Sequence, residues 1–180
     1  GSERLTHDVS RLTSTRYSLA REYSDAELSP VFRSNGTSNP PAADYVRLAA
    51  GGFRDYRLAI DGLVRRPLSL SMAQIGRLPS RTQTTRHDCV EGWSAIGKWT
   101  GVPLGGLLDM AGLLPSARYL VFHCADDFGG TQYYESIDLF DAFHPQTILA
   151  WGLNGQMLPI ANGAPLRLRV ERQLGYKHAK

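Results

Sequence analysis

The chain has 180 residues, 42% of them hydrophobic, and a formal net charge of +3. That length gives one domain with at most a small extension, and the apolar content is enough for a full core, which excludes disorder by composition. The basic residues are scattered, which argues against nucleic acid as a partner, and no apolar run approaches the roughly 20 residues of a membrane span.

Gly1-Ser2 has the look of a tag remnant, so the start of the chain is silent on export. Residues 3–27 are polar, rich in Ser, Thr and Arg, and weakly periodic; they predict an N-terminal arm, 1–27, ahead of a domain over 28–180. Residues 28–41 read as a long loop, either a linker or a segment that binds something. A short helix follows over 43–50, ended by Gly51-Gly52. Residues 56–63 alternate like a half-buried strand that meets a turn at Asp61-Gly62, and 68–70 form another short strand. Ser71 caps a brief helix over 72–78, stopped before Pro79. The β-branched run 82–86 predicts a strand that leads into an irregular loop rich in Gly and Trp. Pro103 then opens a helix over 104–114. Residues 118–125 read as a buried strand, 126–130 as a turn, and 133–139 as the returning strand, with Asp138 capping a helical turn through Phe143. A strand over 148–153 ends at Asn154-Gly155, the strongest short hairpin signal here, and 165–171 alternate as a last strand. Short strands and helices without a βαβ rhythm predict an α+β fold with antiparallel or mixed sheets.

Two places could carry chemistry. Cys89 stands where a strand enters a loop, beside Arg86 and His87, a local field that favours thiolate. A thiolate is a nucleophile or a soft-metal ligand; the plainer alternatives are a buried thiol or a Cys89–Cys124 disulfide. Zinc held by His87, Cys89, His123 and Cys124 is opposed by the absence of the usual spacing and by the alternation of strand side chains. A Cys–His hydrolase would need a third, orienting residue that does not announce itself. The second place is Asn162-Gly163-Ala164-Pro165-Leu166-Arg167 with Gly175-Tyr176-Lys177-His178-Ala179-Lys180. Glycine lets backbone N–H groups approach an anion, and arginine grips one bidentately. Its plainer reading is a solvated basic tail.

Taken together these stretches resemble the molybdopterin-binding domain of the sulfite oxidase superfamily over roughly residues 28–180. The resemblance rests on His87-Asp88-Cys89-Val90-Glu91-Gly92-Trp93-Ser94, Trp99-Thr100-Gly101-Val102-Pro103-Leu104, Tyr133-Tyr134-Glu135-Ser136-Ile137-Asp138-Leu139, Pro145, Leu149-Ala150, Asn154-Gly155, Leu158-Pro159, Gly163, Pro165, Arg167 and Lys180. It implies that Cys89 ligates molybdenum and that Phe32, Arg33 and Asn35 lie in the loop embracing the pterin. It further implies a small polar contact from Cys124, a pterin and phosphate pair in Asn162 and Arg167, and closing contacts from His178, Ala179 and Lys180. Tyr133 is a candidate hydrogen-bond donor to substrate, against a core aromatic. Arg86 is a candidate to tune the thiolate, against a surface ion pair.

The segment from Cys89 to Ser94 is most similar to the bacterial periplasmic methionine sulfoxide reductase catalytic subunits. In sulfite oxidases an Arg-bearing stretch follows the cysteine and an arginine precedes the loop asparagine. Here Trp93 and Ser94 follow Cys89, and Ser34 precedes Asn35. An anionic substrate would lose charge-assisted binding. The resemblance therefore implies oxygen-atom transfer with a sulfoxide-like small molecule, electrons from a membrane haem protein, and a periplasmic location reached by twin-arginine export. The chain carries no Cys-x-x-Cys-His of its own. The rival readings are a sulfite-oxidising enzyme of the same fold and a binding domain without metal.

Overall fold

A computed structural model describes residues 19–33, 40–89, 92–128, 131–171 and 178, with side chains excepting those of 126–128 and 131–134. Thirteen named helices and strands can be placed within it, and it is mixed α+β, as the pattern of short elements predicts. Helix α1 (Ala43–Ala50) is followed by a two-stranded antiparallel sheet of β1 (Arg57–Ile60) and β2 (Leu68–Ser71), then helix α2 (Met72–Gly76). Strands β3 (Arg81–Asp88) and β4 (Ser94–Pro103) form a long hairpin, and helix α3 (Leu104–Ala111) follows. Strands β5 (Tyr119–Phe128) and β6 (Thr131–Asp138) make a separate ribbon that leads into α4 (Leu139–Ala142). Strands β7 (Ile148–Leu153), β8 (Gln156–Met157) and β9 (Arg167–Arg169) complete the five-stranded sheet, ordered β3-β4-β7 with β8 and β9 both on the far edge of β7.

Local signals account for several boundaries. Ser71 Oγ accepts the Gln74 N–H while Gln74 Oε1 accepts the Ser71 N–H, a reciprocal cap on α2. Asp138 Oδ1 accepts the Asp141 N–H at 2.8 Å and so starts α4. Asn154 and Gly155 take φ of 54° and 79°, the left-handed pair that a two-residue hairpin needs. Helix α3 ends three residues before the predicted 114, because Gly112 turns out of it at φ 73° and donates to the Leu108 carbonyl.

Two expectations are corrected. The Gly- and Trp-rich stretch after Cys89 is not an irregular loop; from Ser94 onward it is β4, paired to β3 in register from Asp88↔Ser94 to Arg81↔Gly101. The glycines within β4, Gly97 and Gly101, mark close approaches rather than turns. A Cβ on Gly97 would press on the Phe32 ring and Leu153 at 2.9–3.1 Å. Likewise β5 is not a buried strand. Tyr119 is 73% and Val121 54% exposed, because a free-standing ribbon packs only one face. It also runs on to Phe128, past the residues read as a turn; Gly129 and Gly130 lie outside the described residues.

The sheet is covered on both sides. Leu149 and Trp151 of β7 pack with α3, Val102, Leu166 and Leu168 on one face. Ile148, Ala150 and Leu153 pack with Trp99, Leu158 and Phe32 on the other. The strap of residues 19–33 closes the second face. Tyr23 donates to the Thr84 carbonyl at 2.8 Å, Ser29 to the Ile96 carbonyl at 3.0 Å, and the Ala20 backbone exchanges hydrogen bonds with the Gln146 amide.

Tyr45 ties α1 to the body: its hydroxyl donates to the Ala164 carbonyl at 2.6 Å. Burial pushes its phenol from 10.0 up to about 12, with the neighbouring Tyr56 adding to the effect. The folded value lies above the unfolded one, so this contribution to stability is intact below pH 10 and is lost as pH rises from 10 towards 12. Tyr45→Phe should remove that alkaline step and cost about 1 kcal/mol at neutral pH. Denaturant titrations of both proteins at pH 7 and pH 11 check this.

Candidate functional site

Cys89 directly follows Asp88, the last residue of β3. Its N–H donates to the Trp93 carbonyl at 2.9 Å and its own carbonyl accepts the Gly92 N–H at 3.0 Å, so it opens the tight turn between β3 and β4. Gly92 sits at φ 92°, which lets that turn close. The thiol is buried, and neither cysteine forms a disulfide.

Strand alternation sorts the neighbours of Cys89. Arg86 and Asp88 face outward and pair with each other at 2.7 Å on a half-exposed surface, the plainer of the two readings of Arg86. His87 faces inward and is 1% exposed. Its imidazole stacks on Trp93 (centroids 5.6 Å apart, planes 28°), meets Phe32 edge-on at 5.6 Å, and meets His178 edge-on at 5.2 Å. Phe32 packs in turn on Trp99 at 5.1 Å. An aromatic wall therefore lines the inner side of the Cys89 turn.

His178 joins this wall to the second predicted place. Its carbonyl accepts from Arg167 Nε at 3.2 Å, and Arg167 Nη1 donates to the Asn162 carbonyl at 3.3 Å. Arg167 is 1% exposed and lies over the Trp99 ring. Asn162 ends a single 3-10 turn (Ile160–Asn162), and Gly163 follows at φ 109°, a left-handed conformation that glycine adopts freely. Asn162 Nδ2 is buried and has no hydrogen-bond partner among the described residues. A buried donor with nothing to donate to costs about 1–3 kcal/mol, so such a group needs an explanation. A polar, anionic ligand received between this amide and the Arg167 guanidinium supplies one.

The structure thus brings Phe32, Cys89, Arg167 and His178 into one connected corner, with Asn162 beside Arg167. Arg33 lies next to Phe32 and is exposed. Cys124 belongs to the other face: it packs in the α3 core with Ile137, and its thiol lies 3.6 Å from the Phe122 carbonyl. Asn35, Ala179 and Lys180 lie outside the described residues, and of Tyr133 only its place in β6 is described. His87 and Cys89 stand on one sheet and His123 and Cys124 on another; among the described residues no three His, Cys, Asp or Glu side chains gather as a metal set.

Sequence reasoning missed the ion pair beneath this corner. The side chains of Arg169 and Glu171 are fully buried and joined through two hydrogen bonds, Nε to Oε1 at 3.1 Å and Nη2 to Oε2 at 2.9 Å. Gln83 Nε2 donates to Glu171 Oε1 at 2.7 Å, and Arg169 lies 4.4 Å from the Trp99 ring centroid. The available signal was the alternation Arg167-Leu168-Arg169-Val170-Glu171, which is also what a solvated strand face looks like.

Comparison with known proteins adds independent findings. The family described as "Oxidoreductase molybdopterin binding domain" matches residues 46–180. A "Putative protein-methionine-sulfoxide reductase subunit YedZ1" of Azospira oryzae is 46% identical over 125 residues, covering 69% of this chain and 46% of that protein. The "Protein-methionine-sulfoxide reductase catalytic subunit MsrP" of Gluconobacter oxydans is 38% identical, covering 69% of this chain and 44% of that protein. The chain therefore spans less than half the length of these relatives. Among solved structures, the sulfane dehydrogenase SoxCD from Paracoccus pantotrophus aligns with a TM-score of 0.65 at 28% identity, over 71% of this chain and 36% of that one.

Proposed function

Because this chain belongs to the molybdopterin-binding oxidoreductase domain family, we propose that it is the catalytic domain of a sulfoxide reductase whose molybdenum is held by Cys89. The observation that carries this reading is the convergence of two ligand-ready features on one corner. The Cys89 turn and the Asn162–Arg167 pair are bridged by the His87–His178 contact at 5.2 Å. The residues fit the cofactor: a buried thiol suits a soft metal, while the unpartnered Asn162 amide and the Arg167 guanidinium suit a pterin and its phosphate. Phe32, Arg33, Asn35, His178, Ala179 and Lys180 are assigned to the same cofactor and Tyr133 to the substrate side; Cys124, packed in the α3 core, is left out of that set.

When bound, the cofactor supplies two-electron oxygen-atom chemistry, in which a sulfoxide, two electrons and two protons give a thioether and water. The protein orients that chemistry and shapes access to it. Trp93, stacked on His87, presents an aromatic wall beside Cys89 where a sulfite enzyme would present cations. Such a wall favours a neutral, polarisable sulfoxide over an anion. The names of the two reductase relatives support this substrate class. We assign the electrons to a membrane haem subunit and the location to the periplasm, the domain proper being residues 28–180 and residues 1–27 its arm.

The test is elemental analysis and visible absorption of the protein and of Cys89→Ala. Near-stoichiometric molybdenum, with an absorption band lost in the variant, is the expected result. Folded wild-type protein without molybdenum, made in cells that synthesise the cofactor, would overturn the reading and favour a binding domain. Turnover of sulfite rather than sulfoxide would reverse the substrate assignment.

A further inference from the structure

We infer that Arg169 is a positioning residue for the Cys89 turn, acting through His87. The inference rests on the reading of Cys89 as the metal ligand. Among the described strands, β3 pairs with β4 and β9 with β7. The side chains of these two strands nevertheless meet. Arg169 Nη1 contacts His87 Nδ1, and Nη2 donates to Thr85 Oγ1 at 3.4 Å. A guanidinium has no acceptor, so in this contact His87 Nδ1 accepts and the ring proton sits on Nε2. Arg169 therefore fixes both the tautomer and the plane of the imidazole.

That plane matters to Cys89. Trp93 stacks on the imidazole, and the Trp93 carbonyl receives the Cys89 N–H. A chain of contacts thus runs from Glu171 through Arg169, His87 and Trp93 to the backbone of the thiol residue. The other side of the imidazole abuts His178, whose carbonyl holds Arg167. The two arginines of β9 divide the work: Arg167 serves the Asn162 side, and Arg169 sets the side that bears the thiol. A fully buried ion pair is no general source of stability, so its presence directly beneath the site fits a role in fixing geometry.

The experiment uses the molybdenum-loaded protein with two variants. Arg169→Lys keeps a charge for Glu171 but cannot grip both the carboxylate and the imidazole. Arg169→Met with Glu171→Leu removes the pair without stranding a charge. Both should retain molybdenum at the wild-type level. Both should shift the sulfur-to-molybdenum charge-transfer band. In 15N spectra of the imidazoles, the His87 Nδ1 resonance should move away from its unprotonated, hydrogen-bonded position. His87→Phe should shift the band by itself, and adding the Arg169 change should shift it no further, because one pathway is broken twice. Unchanged band and imidazole resonances in a loaded Arg169 variant would overturn the inference while leaving the molybdenum reading in place. Wild-type protein that holds no molybdenum would overturn that reading, and the imidazole spectra would still report whether Arg169 sets the tautomer.

Discussion

Gly101→Ala is expected to destabilise the protein by more than about 3 kcal/mol, a large part of the 5–15 kcal/mol that holds a domain together. Gly101 lies where the β4–β7 register shifts, between Thr100 and Gly101. A Cβ there would overlap the Leu149 carbonyl oxygen, and would lie 2.5 Å from Ala150 Cα and 2.6 Å from the Leu149 carbonyl carbon. All of these are backbone atoms of the paired strand, so no side-chain rotation relieves the clash. The central pair of the sheet must open instead, and β7 is the strand that carries β8 and β9. Gly106→Ala is the control, since nothing lies within 4 Å of a Cβ added there, on helix α3. Chemical denaturation of both variants decides the matter. A Gly101→Ala midpoint equal to that of Gly106→Ala would contradict the β4–β7 contact described here.

Gly101 also illustrates what could be read before the structure was known. Signals that act over a few residues were legible. The cap at Ser71, the cap at Asp138 and the Asn154-Gly155 hairpin each depend on neighbours within four positions, and each stands where the sequence put it. The chain segments that build the candidate site were legible too, because Cys89 at a strand end and the Asn162–Arg167 run are local patterns. What was hidden depended on distant partners. Gly97 and Gly101 look like loop residues until Phe32 and β7 are seen pressing on them, so by sequence β4 reads as irregular chain. An apolar run at 118–125 looks like an interior strand until its ribbon is found, among the described residues, to pair with no third strand. Arg169 and Glu171 look solvated until Arg169 is found against Trp99 and His87. Alternation gives the period of a strand but not which of its faces is covered.

Glu171→Leu should be the second very damaging change, costing about 3–5 kcal/mol, because it leaves the Arg169 charge buried without its counter-ion. The Trp99 ring at 4.4 Å offsets about 2 kcal/mol of that through its π face. Gln83 loses one acceptor as well, although its amide still reaches the Gln146 carbonyl at 2.9 Å. Glu171→Gln should cost less, since an amide oxygen still accepts from the guanidinium. The paired change, Arg169→Met with Glu171→Leu, should recover most of the loss, because two apolar side chains of similar size replace two ions that had to be stripped of water. The pattern across the three variants carries the argument: Arg169 and Glu171 couple so strongly that the double variant is more stable than the Glu171 single one. Denaturant midpoints measure it directly. If Glu171→Leu stays within about 1 kcal/mol of wild type, water or another group must reach Arg169, and the pair is not sealed beneath the site. If the double variant is no better than the single, the ions contribute through packing rather than charge, and the stiffness of the His87 wall must come from Phe32, Trp93 and His178 alone.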